Sequence, residues 1–412
     1  MLGCWSLVVH DYRDFRRVWT AHSVSIFGDQ VSLVALPLAT YAETRSAVAV
    51  GVVASAEAVT AVGLGLVAGV LGDRLPRRRL LVLTDAGRAL VLLGLAAAVL
   101  LPGTALPALL VGALALGVLR VLHDAAAGAA LPLLVAGPDL VAANGRMQAS
   151  EAASTAVGPA LAGGLIAVGG VATAFAVDAL TFVASGAAVA GIDRLDQRAP
   201  EEAGSRPSLR AEIKAGLAAL WADQAMVRVF TLMAAMNLLA VCVEAQFIPY
   251  AREVLGAGSL GVGLYFALGG TAALATSLLA GRSKVARGDA VVAGLLVFAS
   301  GVLAAGVWPG HLTAALAYLG AGVGSALLIT HAMALRHHRF PVEFQGRVGM
   351  AVRIGVFLLV PVALVGGGWL ANASGPEALF VVTGAVGVAT AAWGVARGLA
   401  GLRAEAAPAT DH

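Results

Sequence analysis

Gly69-Val-Leu-Gly-Asp73-Arg74-Leu-Pro-Arg77-Arg78-Arg79 is the stretch whose reading decides the fold class. It is a short basic turn wedged between two apolar segments, 47–71 and 80–101. Each is long enough to cross a bilayer, for which about 20 apolar residues suffice. Four arginines within 74–79 resist translocation, which places the turn on the cytoplasmic side.

The rest of the chain repeats that pattern. Of 412 residues, 59% are hydrophobic and 12% charged, against about 25% charged in a soluble domain. The composition therefore excludes a soluble globular protein. Twelve apolar windows follow one another at 18–42, 47–71, 80–101, 106–132, 144–168, 171–191, 224–250, 258–281, 288–308, 311–335, 347–371 and 376–398. Pro102-Gly103, Pro107, Gly137-Pro138, Pro309-Gly310 and Gly375-Pro376 punctuate them. With the amino terminus inside, only Arg45 and Arg252 fall on outer turns, so both termini are expected in the cytoplasm. The same asymmetry accounts for the net charge of +3 without any nucleic-acid partner. Cys4 and Cys242 lie in different environments, so neither a disulfide nor a metal cluster is expected. The charged run Asp11 to Arg17 leads straight into the first window, with no cleavable signal before it. Arginine outnumbers lysine 25 to 2 amid abundant Ala, Gly and Val, which points to a bacterial chain.

The windows divide six and six. The expected organisation is an amino-terminal six-helix bundle over 1–192, a cytoplasmic linker over 193–223, and a carboxy-terminal six-helix bundle with a short tail over 224–412. Within the linker, Leu209, Ile213, Leu217, Leu220 and Trp221 recur at helical spacing opposite Arg210, Glu212 and Lys214. That spacing predicts an amphipathic helix on the inner membrane surface.

Ionisable residues inside hydrocarbon cost several kcal/mol unless paired or wet, so each is a functional candidate. The first half holds Asp29, Glu57, Asp85, Arg88, Arg120, Asp124, Glu151 and Asp178; the second holds Glu244 and, near a helix end, Arg353. Asp29 leads them, in a stripe of His22, Ser25, Asp29 and Ser32 on one helical face that can line a wet cavity. Arg120 and Asp124 share a face four residues apart, between Gly117 and Gly128. An arginine there stays charged and needs carboxylates nearby, either as a structural pair or as a coupling element. Glu57 and Glu244 each suit a proton carrier or a cation site. Asp178 is placed towards the outer interface, and Asp85 with Arg88 reads as a structural pair. Glu151 precedes Gly158-Pro159-Ala-Leu-Ala162-Gly163-Gly164, where proline and small residues permit a bend that can act as a rocking hinge.

Together these residues resemble the major facilitator superfamily, and within it the macrolide-efflux and enterobactin-exporter branch. The likeness rests on Phe27-Gly-Asp29 with Leu36-Pro37, on Gly69, Asp73, Arg74, Arg77 and Arg78, on Arg120, on Leu131-Pro-Leu-Leu-Val with Ala143-Asn144, and on Gly158-Pro159. The family's antiporter motif reads G-P-x-x-G-G; here Ala162 replaces its first later glycine. The loop's counterpart in the second half, Gly281-Arg-Ser-Lys284-Val-Ala-Arg287, lacks the acidic residue. The resemblance implies an all-α membrane protein of twelve transmembrane helices in two bundles, a major facilitator fold. It implies a latch role for Asp73, a proton-linked role for Arg120, and export of amphiphilic compounds in exchange for protons.

No P-loop motif is present, so an ion gradient is the expected energy source. The expectation is thus a non-enzymatic, cofactor-free, metal-free and monomeric exporter in a bacterial inner (plasma) membrane, whose partners are protons, lipid and a hydrophobic neutral or cationic small molecule. Asp29, Glu57, Arg120 and Asp124 would couple protons. Glu244, Phe247, Tyr265, Tyr318 and Phe357 would contact the substrate. Gly69, Asp73, Arg74, Arg77, Arg78, Glu151, Gly158 and Pro159 would form latch and hinge. The alternatives are an importer or uniporter of the same fold, or a non-transporting accessory protein.

Overall fold

A computed structural model describes residues 13–74, 76–101, 103, 105–135, 137–196, 209–280 and 286–399. Among these the chain is helical throughout, in thirteen α-helices and two single 3-10 turns. They are α1 (Arg13–Thr44), α2 (Ala47–Arg74), α3 (Arg77–Ala98), α4 (Ala105–Leu134), α5 (Leu140–Ala190), α6 (Leu209–Ala222) and α7 (Gln224–Glu253). There follow α8 (Ser259–Ala280), α9 (Arg287–Val307), α10 (His311–Arg339), α11 (Val342–Phe357), α12 (Val360–Ser374) and α13 (Pro376–Ala396). The second-half counterpart of the basic loop, Gly281 to Val285, lies outside the described residues.

Ten helical stretches among the described residues are long and apolar enough to cross a membrane, α11 and α12 being read as one crossing. The 51-residue α5 supplies two crossings, because its backbone leaves the helix at Gly170 with φ 77° and ψ 174°. Only glycine takes that conformation freely. The expected fifth and sixth windows are therefore separated by one residue. α2 contributes a shorter apolar stretch among the described residues, Ala47–Ala61.

The chain divides into two compact units. The first comprises Met1–Arg45, Val52–Ala203 and Gly258–Ala267; the second comprises Ser46–Gly51, Gly204–Ala257 and Leu268–His412. In the first unit α1 lies along α5, and α3 packs against both α4 and α5. Phe15, Leu80, Leu134, Val189, Ile192 and Leu195 form a buried cluster at one end of these helices. In the second unit α9 is flanked by α10 and α13, while α7 packs on α12 and α13. Tyr250 stacks on Phe380 at 4.4 Å and donates its hydroxyl to the Ala305 carbonyl at 2.8 Å.

The amphipathic segment forms α6, which packs on α11. Gly216 and Leu220 face inward; a Cβ on Gly216 would strike the Arg347 backbone. Leu217 and Trp221 remain exposed. Asp223 then starts α7, accepting from the amides of Ala225 at 3.0 Å and Met226 at 3.2 Å. Its other carboxylate oxygen takes the Arg339 Nε at 2.7 Å.

Candidate functional site

The first unit builds its polar interior from α1, α2, α4 and α5. Where α1 crosses α5, Gly28 leaves no room for a side chain: a Cβ there would strike Asp178 Oδ1 and Thr181 Oγ1. This close approach brings Ser32 onto the carboxylate of Asp178, to which its hydroxyl donates. Thr181 donates to the same carboxylate at 3.2 Å. Asp178, expected towards the outer interface, is 0% exposed and held by hydroxyls from two helices. The stripe on α1 thus splits. Ser32 serves Asp178, Ser25 is buried and bonds the His22 carbonyl at 3.0 Å, and His22 Nε2 meets Glu151 at 3.5 Å.

Arg120 is exposed along α4, as are Asp124 and Glu151, while Asp29 and Glu57 are half-buried. An exposed charge in the middle of an apolar helix has to face water rather than hydrocarbon. Four carboxylates act on the Arg120 charge: Asp29 most strongly, then Asp124, Glu57 and Glu151. Three of these neighbours are on other helices, in addition to the Asp124 one turn away that spacing favours. Gly117 lets α4 close on α2, beside Glu57; its Cβ would lie 3.1 Å from Glu57 Cα. Gly128, the other small residue flanking the pair, faces open space and serves no such approach.

Asp85 and Arg88 do not form the pair their spacing suggests. Asp85 is 0% exposed, accepts from Ser185 at 2.8 Å and meets His123 Nδ1 at 3.2 Å. Arg88 instead lies over the Phe182 ring at 4.9 Å. Sequence reading missed the His123 contact; the available signal was a histidine on α4 three residues after Arg120.

In the basic loop, Arg78 binds Asp193 at 2.5 Å and Asp196 at 2.7 Å, anchoring the turn that follows α5. Arg77 is buried. Gly69, Asp73 and Arg74 belong to the end of α2, and their side chains lie outside the described residues. Gly158 and Pro159 are buried within α5, where the backbone stays helical; the break comes at Gly170 instead. A Cβ on Gly158 would lie 2.6 Å from Gln30 Cγ, so the motif's visible work is close packing of α1 on α5.

In the second unit Glu244 is exposed on α7, one turn from Phe247. Phe247 meets Tyr318 of α10 edge-on at 4.4 Å, and Glu244 acts electrostatically on Tyr318. Phe247 is 0% exposed, so its ring backs Tyr318 rather than presenting a surface of its own. Phe357 ends α11 with 36% exposure. Tyr265 is half-buried on the stretch of α8 that belongs to the first unit. Gln246, unremarked in the sequence, is fully buried and donates to the Ala47 carbonyl at 3.1 Å. No group of three or more His, Cys, Asp or Glu among the described residues could hold a metal ion.

Comparison with known proteins fits this architecture. The sequence profile of the Major Facilitator Superfamily matches residues 18–283. No curated protein matches the chain. Among solved structures, a bacterial homologue of the human lysosomal transporter Spinster, inward-facing and occupied, gives a TM-score of 0.76 at 12% identity, covering 97% of this chain and 99% of its own. An inward-facing bacterial homologue of the iron transporter ferroportin gives 0.74 at 14%, covering 93% and 98%. The nucleoside transporter NupG gives 0.69 at 11%, covering 93% and 98%. At such identities these likenesses speak for the fold. With the profile matching more than half of the chain, the protein is a multi-pass membrane transporter, not an enzyme, and belongs to the Major Facilitator Superfamily.

Proposed function

We propose that the chain exports a hydrophobic neutral or cationic small molecule in exchange for protons, by alternating access, across a bacterial inner membrane with both termini inside. The reading is carried by the Arg120 guanidinium on a membrane-crossing helix, with Asp124 one turn away and Asp29, Glu57 and Glu151 on neighbouring helices near enough to act on its charge. One fixed cation among four carboxylates leaves negative charge that a proton can relieve, so protonation changes what Arg120 attracts. Asp29 and Glu57 are the carriers, Arg120 the responding charge, and Asp124 its neighbour on the same helix. Alternating access exposes the carriers to either side in turn.

Glu244 with Tyr318, backed by Phe247, offers a carboxylate beside an aromatic face, which suits a lipophilic cation or a neutral aromatic. Phe357 adds an apolar side chain in the same unit, and Tyr265 of the first unit is a separate candidate substrate contact. An anion is disfavoured, because acids outnumber bases among the intramembrane groups. The sequence likeness to macrolide-efflux and enterobactin exporters supports the outward direction and the substrate class. The Asp73 loop acts as the latch and the Gly158-Pro159 segment as part of the hinge.

The test is ethidium efflux from energised cells lacking their main pumps, comparing wild type with Asp29→Asn, with and without a protonophore. Efflux abolished by both supports proton antiport through Asp29. Efflux that survives both removes Asp29 from the mechanism and transfers the carrier role to Glu57. Accumulation in place of efflux favours an importer.

A further inference from the structure

The amphipathic helix α6 has no part in the scheme above. Its spacing sets Leu209, Ile213, Leu217, Leu220 and Trp221 on one apolar face with Lys214 opposite, and the structure divides that face. Gly216 and Leu220 turn towards the protein: a Cβ on Gly216 would lie 2.2 Å from the Arg347 carbonyl oxygen, and Leu220 is 8% exposed. Leu217 and Trp221 turn away from it, 38% and 63% exposed. Lys214 and Ala218 are exposed as well. Positions 214, 217, 218 and 221 follow the i, i+3, i+4, i+7 spacing of a single helical face. Lys214 therefore shares a face with the two exposed apolar side chains instead of opposing them.

The neighbours of α6 say what that face meets. One residue, Asp223, separates α6 from α7, which is long and apolar enough to cross a membrane. Asp223 caps α7 through the amides of Ala225 and Met226, so the junction is a short, held turn. Arg347, against which Gly216 packs, lies near the start of another such stretch, Phe344–Ser374. α6 is thus seated on the ends of two membrane crossings, at the level where hydrocarbon gives way to headgroups. Tryptophan, leucine and lysine on one helical face suit that level, because the apolar groups leave water while the ammonium reaches lipid phosphate. The surrounding charge agrees. Residues 209–228 and 336–347 together carry six Lys or Arg against three Asp or Glu. One acid, Asp223, and one base, Arg339, are spent on each other at 2.7 Å. Arg336 reaches across to α11, its Nη1 3.0 Å from where a Cβ on Gly349 would stand.

We propose that this face of α6 docks onto an anionic membrane surface, with Leu217 and Trp221 entering the headgroup region and Lys214 pairing with lipid phosphate. The partner is the bilayer because the face continues the lipid boundary of two crossing helices. Anionic lipid is favoured over neutral lipid because each cation at this corner gains from a negative surface potential. The 14 residues of α6 are then anchored to lipid on one side and to α11 on the other. Which leaflet they meet follows from the orientation proposed above; the docking itself does not depend on it.

The test places a nitroxide at position 218, in the full chain carrying Cys4→Ser, Cys242→Ser and Ala218→Cys. The protein is reconstituted in vesicles of phosphatidylcholine, alone or mixed with phosphatidylglycerol. Electron paramagnetic resonance then compares collisions of the label with oxygen, which concentrates in hydrocarbon, and with a water-soluble nickel chelate. In the anionic vesicles the label is expected about 5–10 Å inside the headgroup boundary. Lys214→Gln is expected to lower the ratio of immersed to water-exposed label about fivefold there, and to change it less in phosphatidylcholine. Trp221→Ser is expected to lower it in both. Should Ala218→Cys disturb the fold, Leu217→Cys carries the label on the same face. A label that stays in water in the anionic vesicles overturns the proposal, as does immersion indifferent to Lys214→Gln and Trp221→Ser. A label reached by neither reagent means that protein covers the face, a second copy or another segment, and overturns it too. No substrate or gradient enters this measurement, so the docking and the antiport reading fail separately.

Discussion

The two compact units use charge in opposite ways. In the first, Asp29, Glu57, Asp124 and Glu151 act on Arg120, and Arg88 acts on Glu57 and Asp178, all along membrane-crossing helices. In the second, Glu244 stands beside Tyr318, and the well-formed ion pair, Asp223 with Arg339, sits at helix ends. Both units rest on close helix packing, so packing alone does not require this asymmetry. A charge network is worth its desolvation cost where protonation has to be felt several side chains away. A lone carboxylate beside aromatic rings suits recognition of a bound molecule. Under the proposed function, this contrast would divide the labour between an energy-coupling unit and a substrate-reading unit.

The strongest way to break that division is Arg120→Ala. It removes the one cation on which four carboxylates act. Ethidium efflux is expected to fall about 100-fold, equivalent to about 2.7 kcal/mol on the limiting step. Arg120→Lys is expected to recover little, because an ammonium does not reproduce the planar fork of the guanidinium. Initial efflux rates in energised cells at matched expression decide it, and near-normal rates would end the coupling role of the first unit.

Glu244→Gln probes the other side of the comparison. If this carboxylate reads substrate charge, the half-saturating concentration for ethidium rises about tenfold, about 1.4 kcal/mol. A neutral hydrophobic probe is expected to change less than twofold. Equal losses for both probes would move Glu244 from recognition to coupling and erase the contrast.

Much of this was legible in the chain itself, and the reasons for the gaps are physical. The twelve crossings could be read because apolar length is a property of local sequence. The deep acids could be read because charge in an apolar run is conspicuous. What could not be read was which neighbour each charge chooses. Spacing paired Asp85 with Arg88, yet the helix contacts give His123 to Asp85, and Arg120 feels Asp29, Glu57 and Glu151 from other helices as well as Asp124. Gly28 lets α1 approach Asp178 and Thr181 of α5, and Gly117 lets α4 approach Glu57 and Thr60 of α2; a single glycine among 51 in the chain carries no such label. Phe247 was marked as a substrate contact for being aromatic, but its burial is set by α10, about 70 residues away. The Gly170 break was visible only as a pair of glycines between two windows.

Asp178→Asn sharpens the comparison within the first unit by separating anchored acids from working ones. Ser32 donates to this carboxylate, while Thr181 also has the Asp178 backbone carbonyl at 2.7 Å, so an amide weakens the acceptor that Ser32 uses. The expected cost is about 1–2 kcal/mol of stability, seen as a lowered midpoint of thermal aggregation in detergent. Efflux per folded molecule should stay within about twofold if Asp178 serves as an anchor, its carboxylate being held by the Ser32 hydroxyl. A large transport defect with unchanged stability would move Asp178 into the carrier set.

The smallest effect is expected from Asp223→Ala, which tests whether the Asp223–Arg339 ion pair of the second unit is only structural. The carboxylate caps α7 through two amides and holds Arg339 at the end of α10. Losing the cap costs about 1 kcal/mol; the ion pair, partly open to solvent, adds a few tenths at most, about 0.2–1 kcal/mol in general. Asp223→Asn keeps an oxygen for the amides and should recover most of the cap while losing the charge. Transport per folded molecule is expected to match wild type in both variants, for ethidium and for a neutral probe alike. If Asp223→Asn instead slowed efflux as much as Arg120→Ala, charge in the second unit would be part of the cycle, and the asymmetry between the units would have to be read as one of position rather than of purpose.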